Sequence, residues 1–404
     1  MKNLPQKTKA YALKNAIAYS GKAQQGAVIS SLFNEGLKKE DVKKYIKKIS
    51  EIIKEVNSMS LEEQKKEFEK LGNLVSERDV REGLPDLPGA KKGKVVMRFA
   101  PSPSGPFHVG HALTSCLSFL FVKKYGGKFY VRIEDTNPEN IYEPAYKMIK
   151  EESDWLFEKK YELIVQSDRI EEGIYYEYAE KLINKKSAYI CTCSGDEFRE
   201  FVKKKKDCPC RKLGIKENLE RWDKMLMMGP EGYDDGEAVL RFKSDMKHKN
   251  PAMRDFPLAR INKTSHPRHG SILKVYPLMN MAVAVDDIEF GITHIVRAKE
   301  HRDNAERQKM IYKVLGKKFP WTAFLGRYKF KDLELSCSKT KVRIEKGEFT
   351  GWADPRLPFL ASLKKKYKPQ AFWKFAEIRG LSEADRVIDK KEFFKLLDTF
   401  NKIK

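Results

Sequence analysis

The chain reads as an α/β protein built on a doubly wound parallel sheet, and three stretches predict it. KVVMRFA (94–100) is a short β-rich run followed by a Pro/Ser/Gly loop and a helix-like stretch from about 108 to 124. KFYVRIED (128–135) is a second strand, followed by the helical YEPAYKMIKEESDWLF. The rhythm then resumes far downstream in MAVAVDDIEFGITHIVRAKEH. Strand–loop–helix–strand–helix order is how a parallel sheet with crossover helices is written in sequence.

The remaining elements fit around that sheet. Residues 1–80 form a helical N-terminal extension: apolar residues recur at three- and four-residue spacings in YALKNAIAYS and VKKYIKKISEIIKEVNSM. Ser60 with Glu63 three residues on opens a further helix as a capping box. Residues 81–94, rich in Gly and Pro with a basic end, form a linker. Residues 95–186 are the first half of a Rossmann-like domain, and 187–275, with a cysteine cluster and strands such as EAVLRFKS, form an inserted module. The second half spans 276–352, and 353–404 close the chain as basic helices. The Lys203–Lys206 run reads as a solvated loop.

Composition limits the function. With 404 residues, the chain has room for two or three domains at roughly 150 residues each. Apolar residues make up 41 %, enough for sizeable cores, and the 23 Phe, 17 Tyr and 5 Trp exclude disorder as the main character. The longest apolar stretches, such as 279–285, fall far short of the ~20 residues that span a bilayer, so no membrane is expected. The first residues lack the apolar core of a secretory signal, and a cytoplasmic protein is expected. Lys and Arg total 80 against 57 Asp and Glu, a net charge of +23 that suits a polyanionic partner or a solvated basic surface.

Three motifs carry chemistry. In RFAPSPSGPFHVGHA, His108, Gly110 and His111 sit where a strand passes into a helix, a place that offers backbone N–H groups and a positive dipole end to phosphate. The missing side chain at Gly110 lets a purine lie against the backbone. In LSCSK, Lys339 stands between small hydroxyl residues, a form suited to a cation that meets a pentavalent phosphate only in the transition state. Cys191-x-Cys193 and Cys208-x-Cys210 supply four thiolates on two tight loops, a tetrahedral zinc set, with disulfides or free thiols as the alternatives. Asp286-Asp287, ending an apolar run, reads either as metal ligands or as a strand end pairing a lysine or a backbone amide.

The first two motifs resemble the HIGH and KMSKS signatures of class I aminoacyl-tRNA synthetases. RIEDTNP, HIVRAKEH and FTGWADPRLP are similar to the glutamyl enzymes of archaeal type, from about residue 10 to the end. The resemblance implies a glutamate–tRNA ligase that uses ATP with its Mg²⁺ and binds L-glutamate and the tRNA acceptor arm. Ser104, Gly105, His108, Gly110, His111, Ser336, Ser338 and Lys339 would contact ATP, with His108, His111 and Lys339 catalytic. Arg98, Ala100, Ser102 and Glu134 would surround the amino acid, and Arg297 would choose the glutamate carboxylate over the glutamine amide. A structural zinc knuckle in the insertion would serve the acceptor end. Two departures stand out. Pro277-Leu278-Met279-Asn280 replaces the family's Pro-Thr-Tyr stretch, so the phenolic hydrogen bond is lost at Met279. The β-barrels that read the anticodon do not follow, which fits a shortened chain, a split enzyme with a separate anticodon-binding polypeptide, or a natural catalytic core. The alternative functions are a glutamyl transferase with another RNA acceptor and a non-catalytic RNA-binding paralogue.

Overall fold

The computed structural model describes residues 3–76, 83–332 and 335–402. It divides into two units, Met1–Arg81 and Glu82–Lys404. The first holds four helices: α1 (Leu4–Ala18), α2 (Gln25–Asn34), α3 (Val42–Ser58) and α4 (Leu61–Leu71). Ile49, Ile53 and Val56 line one face of α3 at four- and three-residue spacing and pack with Leu13, Ala16 and Leu32. The Ser60–Glu63 capping box that starts α4 is present with both of its hydrogen bonds.

The second unit is built on parallel strands β1 (Val95–Phe99), β2 (Gly127–Ile133) and β3 (Glu162–Val165). Helix α5 (Val109–Tyr125) crosses from β1 to β2, and α6 (Ala145–Leu156) from β2 to β3. Arg98 lies opposite Tyr130 in the β1–β2 register. Two short helices, α7 (Gln166–Glu171) and α8 (Ile174–Asn184), lead into a second, antiparallel sheet. Its strands β4 (Ala188–Cys191), β5 (Val239–Phe242), β6 (Pro257–Ile261) and β7 (Val275–Pro277) pair in chain order. Helices α9 (Gly195–Lys204) and α10 (Ile215–Leu226) fall between β4 and β5. Lys203 and Lys204 form the last turn of α9, where lysines meet the carbonyl end of the helix dipole, instead of a loop.

The chain then returns through α11 (Met279–Glu289) to β8 (His294–Ala298), α12 (Arg302–Val314) and β9 (Trp321–Leu325), with β8 and β9 parallel. The Thr293 N–H donates to Val96 O at 2.9 Å and the Val96 N–H to Thr293 Oγ1 at 2.9 Å, which ties this pair to β1. The expectation of a strand end at Asp286-Asp287 is overturned, because both lie in helix α11. A run of seven nearly apolar residues has no period by which to tell strand from helix.

Strand β10 (Tyr328–Phe330), α13 (Cys337–Glu345), α14 (Leu360–Leu363), α15 (Pro369–Arg379), β11 (Arg386–Ile388) and α16 (Lys390–Lys402) complete the unit. The last helices are basic on one side only. Ala371, Phe372 and Phe375 of α15, with Phe393 and Leu397 of α16, join the core formed by Val95, Met97, Leu117 and Val131. No helix among the described residues is long and apolar enough to cross a membrane.

Candidate active site

A cavity of about 420 Å³ opens between the loop that follows β1, the start of α5 and the end of β8. Arg98, Ala100, His108, Gly110, His111, Glu134 and Arg297 all line it. Five elements thus bring together seven of the residues singled out from sequence. Ser102, Ser104 and Gly105 do not line the cavity, and neither do Ser336, Ser338 and Lys339, although Leu335 just before them does.

The two histidines begin α5. His108 is its N-cap, and the His111 N–H donates to His108 Nδ1 at 3.2 Å. That leaves Nε2 as the protonated nitrogen of His108 in its neutral form. The rings stack with centroids 3.7 Å apart. Burial, reinforced at His108 by the neighbouring ring, keeps His108 well below the ordinary imidazole range. Burial holds His111 at about 4. Both are therefore neutral at pH 7 and can offer N–H donors, but no charge, to a phosphate. Gly110 is constrained by this stack as well, since a Cβ there would fall 2.9 Å from His108 Cε1.

The opposite wall is a network of ions. Arg98 grips Asp287 through two bonds of 3.1 Å, and Arg132 reaches the same carboxylate at 2.7 Å and Glu134 at 3.0 Å. Asp286 takes Arg169 at 2.8 Å, Gln166 at 2.7 Å and the Tyr175 hydroxyl at 2.9 Å. Burial opposes charge on Asp287, yet Arg98 and Arg132 outweigh it and hold the carboxyl below its usual range. This pair of aspartates therefore anchors arginines, and the metal reading of it lapses. Arg98 is held by the protein itself. It lines the cavity with its guanidinium already bonded to Asp287.

Arg297 differs. It is 7 % exposed, its Nη1 donates to Gln308 Oε1 at 2.9 Å, and its Nε has no hydrogen-bond partner. Among the described residues no carboxylate pairs with it. Burial and the nearby Arg98 push its pKa down to about 10. A buried guanidinium left in this state is costly, and an anionic ligand relieves the cost. Glu134, 18 % exposed on the same cavity and bonded through Oε1 to Arg132, presents a carboxylate to a cationic group there.

The sequence reading missed Glu300, His301, Tyr328 and Arg379, which also line the cavity. His301 accepts from Asn304 at 3.1 Å, and burial with Arg297 beside it lowers its pKa to about 4. The RAKEH stretch around it carried the signal. Met279 lines the mouth, 40 % exposed, with its sulfur 3.4 Å from Asn304 Nδ2.

Helix α13 starts at Ser336, whose hydroxyl accepts from the Lys339 N–H at 3.4 Å. Its anchor is Cys337, buried against Gly105 and bonded to Pro106 O at 3.6 Å. A Cβ on Gly105 would meet Cys337 Cβ at 3.2 Å and the Trp352 ring at 3.1 Å. Gly105 thus serves the packing of the two motifs on each other. Ser338 and Lys339 lie on the exposed side of the helix.

The four cysteines converge between β4 and the turn at Pro209–Lys212. Sγ–Sγ distances are 3.9 Å for Cys191–Cys208 and 3.9 Å for Cys193–Cys210, and all four sulfurs lie within 4.8 Å of one another. Zinc–sulfur bonds of about 2.3 Å place tetrahedral sulfurs roughly 3.8 Å apart, so the set comes within about 1 Å of a tetrahedral zinc site. The Cys191 thiol, hydrogen-bonded to Cys208, pulls Cys208 down to about 5, and Arg221 reaches Cys210 Sγ at 3.7 Å. Four filled positions would make the ion structural.

Residues 94–402 match the family described as tRNA synthetases class I (E and Q), catalytic domain. The chain is 45 % identical over 376 residues to a glutamate–tRNA ligase of Methanocaldococcus jannaschii, covering 93 % of this chain and 66 % of that one. It is 42 % identical over 390 residues to those of Methanothermobacter marburgensis and Pyrococcus furiosus, covering 69 % and 67 % of them and 96 % and 94 % of itself. The chain spans about two thirds of the length of these curated relatives. A glutamate tRNA ligase structure from Elizabethkingia meningosepticum shares the fold, with a TM-score of 0.51 at 20 % identity, over 75 % of this chain and 68 % of that one. Sequence, cavity and fold agree, and the chain belongs to the class I tRNA synthetases of the glutamyl and glutaminyl group.

Proposed function

We infer that this chain activates L-glutamate with ATP and passes it to the 3′ end of tRNA in the cytoplasm. The observation that carries this is Arg297, a buried guanidinium with an unpartnered Nε on a cavity that also holds Glu134. Glutamate supplies a side-chain carboxylate for Arg297 and an ammonium for Glu134. A charge-assisted fork contributes roughly 1.5–3 kcal/mol, and the amide of glutamine cannot replace the carboxylate in it.

In the first step an oxygen of the α-carboxylate attacks the α-phosphorus of ATP. The bond to the bridging oxygen breaks, and pyrophosphate leaves with the electron pair. Mg²⁺ accompanies the ATP and neutralises part of its charge. His108, the N-cap of α5, and His111 in its first turn, both neutral, donate N–H groups to the phosphates together with the helix end. Lys339 meets the charge that builds on the phosphates by a movement of α13 about its Cys337 anchor, as a cation used in the transition state does. In the second step a hydroxyl of the terminal ribose attacks the glutamyl carbonyl and AMP leaves. The zinc-fitting cysteine module and the basic surface take the acceptor arm, chiefly through phosphates. The test is ATP–pyrophosphate exchange with each amino acid, with and without total tRNA. Exchange specific to glutamate supports the reading, and exchange with another amino acid alone overturns it.

A further inference from the structure

Glu152 has no place in the chemistry above, yet it is a buried carboxyl with no basic side chain hydrogen-bonded to it among the described residues. It sits in α6, 1 % exposed, and accepts the Phe107 N–H at 2.6 Å. The Ala361 backbone amide lies near enough to favour its charged form, and the two residues line the same small cavity, while its other oxygen, Oε1, has no hydrogen-bond partner. Burial pushes its pKa up to about 8, against the pull of those two amides.

Phe107 and Ala361 belong to two strips of chain that lie side by side. The Leu360 N–H donates to Phe107 O at 2.7 Å, the Val109 N–H donates to Pro358 O at 3.1 Å, and His108 bridges Phe359. The first strip ends in His108, the N-cap of α5, with His111 in the helix's first turn. The second follows the segment Thr350–Leu357, whose Trp352 packs against Gly105. The Phe107 ring stands edge-on to Phe99 at 5.2 Å and 6.1 Å from the His111 ring. Glu152 therefore joins both strips at the residue before His108, from a helix that does not reach the cavity.

Resting on the function proposed above, we propose that Glu152 is a positioning residue, which fixes the Phe107 amide and through it the direction in which His108 and His111 face ATP. An acceptor at this point is required and its charge is not. A buried N–H without a partner would let the strip turn outward and carry the histidines with it.

The experiment compares the 404-residue chain with its Glu152→Gln and Glu152→Met variants. Glutamine keeps an acceptor oxygen within reach of Phe107, whereas methionine fills the same volume without one. Binding of a non-hydrolysable ATP analogue is measured by calorimetry in the absence of amino acid and RNA, beside the KM values of the exchange reaction. The expectation is that Glu152→Met weakens ATP binding and raises the ATP KM by about tenfold with the glutamate KM unchanged, and that Glu152→Gln stays within about threefold of the parent. Equal behaviour of the two variants, or parental ATP binding by Glu152→Met with only a lower melting temperature, overturns the proposal. Should Glu152→Met not fold, Glu152→Asp, whose shorter reach withdraws the acceptor, replaces it, and parental ATP affinity in that variant is equally fatal. A parent chain that binds ATP yet shows no glutamate-dependent exchange contradicts the proposed reaction and leaves the assignment of Glu152 to be decided by the binding data.

Discussion

Replacing Arg297 by methionine should move stability and activity in opposite directions. In the free protein the guanidinium is buried and hydrogen-bonded to Gln308, and its pKa is depressed to about 10. That depression, from an ordinary 12.5, corresponds to roughly 3 kcal/mol of strain in the charged form, of which the lost bond to Gln308 returns about 1. A methionine of similar volume should thus stabilise the ligand-free chain by about 1–2 kcal/mol, seen as a rise of roughly 1–3 °C in melting temperature. The same change removes the partner of the glutamate carboxylate. Truncating one side of a buried, hydrogen-bonded charge pair costs about 2–5 kcal/mol, so kcat/KM for glutamate should fall by a factor on the order of 10² to 10³. Calorimetric melting beside exchange kinetics with glutamate and glutamine measures both halves. A variant that is destabilised, or that keeps its preference for glutamate, refutes the reasoning that Arg297 is an anion receptor held ready at a cost to the fold.

Lys339→Ala should lower the exchange rate by about a hundredfold while ATP binding stays nearly intact, and a loss confined to ATP affinity would deny the lysine its transition-state role. Cys191→Ser, or chelation, should release one zinc per chain by elemental analysis and weaken RNA-dependent steps more than ATP binding, and protein purified under reducing conditions with no metal contradicts this. Glu152 should make stability fall as pH rises. Its folded-state pKa near 8 lies above the 4.5 of an exposed glutamate, so between those values the folded state holds a proton that the unfolded state has released. Lys364 favours the charged form and Glu151 opposes it. Glu152→Gln should remove this slope, so that the variant gains on the parent by up to roughly 4 kcal/mol between pH 5 and pH 8, and parallel stability curves would show that Glu152 titrates normally.

Much of the site was legible because it is written locally. The β1–loop–α5 passage, with its histidines three residues apart, is a single stretch of chain, and so is each cysteine pair. What escaped depends on pairings across long separations. Arg98 and Asp287 are 189 positions apart, and Gln166 and Asp286 are 120 apart. No local pattern announces that an Asp-Asp after an apolar run will anchor three arginines. Glu152 is one acid in the charged tract KEESD, and only the fold turns it inward. The three-residue strands β10 and β11 pair in parallel, each residue with one 58 positions further on, too short and too distant to register as strands. Lys339 could be named from its motif, but its distance from the cavity belongs to the conformation and not to the sequence.

The most direct measurement of the central claim is the charging of total tRNA by this chain with labelled glutamate, and in parallel with labelled glutamine, in the presence of ATP. A carboxylate receptor at Arg297 predicts ATP-dependent glutamyl-tRNA, with glutamine disfavoured by two orders of magnitude or more on a loss of about 3 kcal/mol. Glutaminyl-tRNA formed at a comparable rate, or no aminoacyl-tRNA with either amino acid, would contradict it.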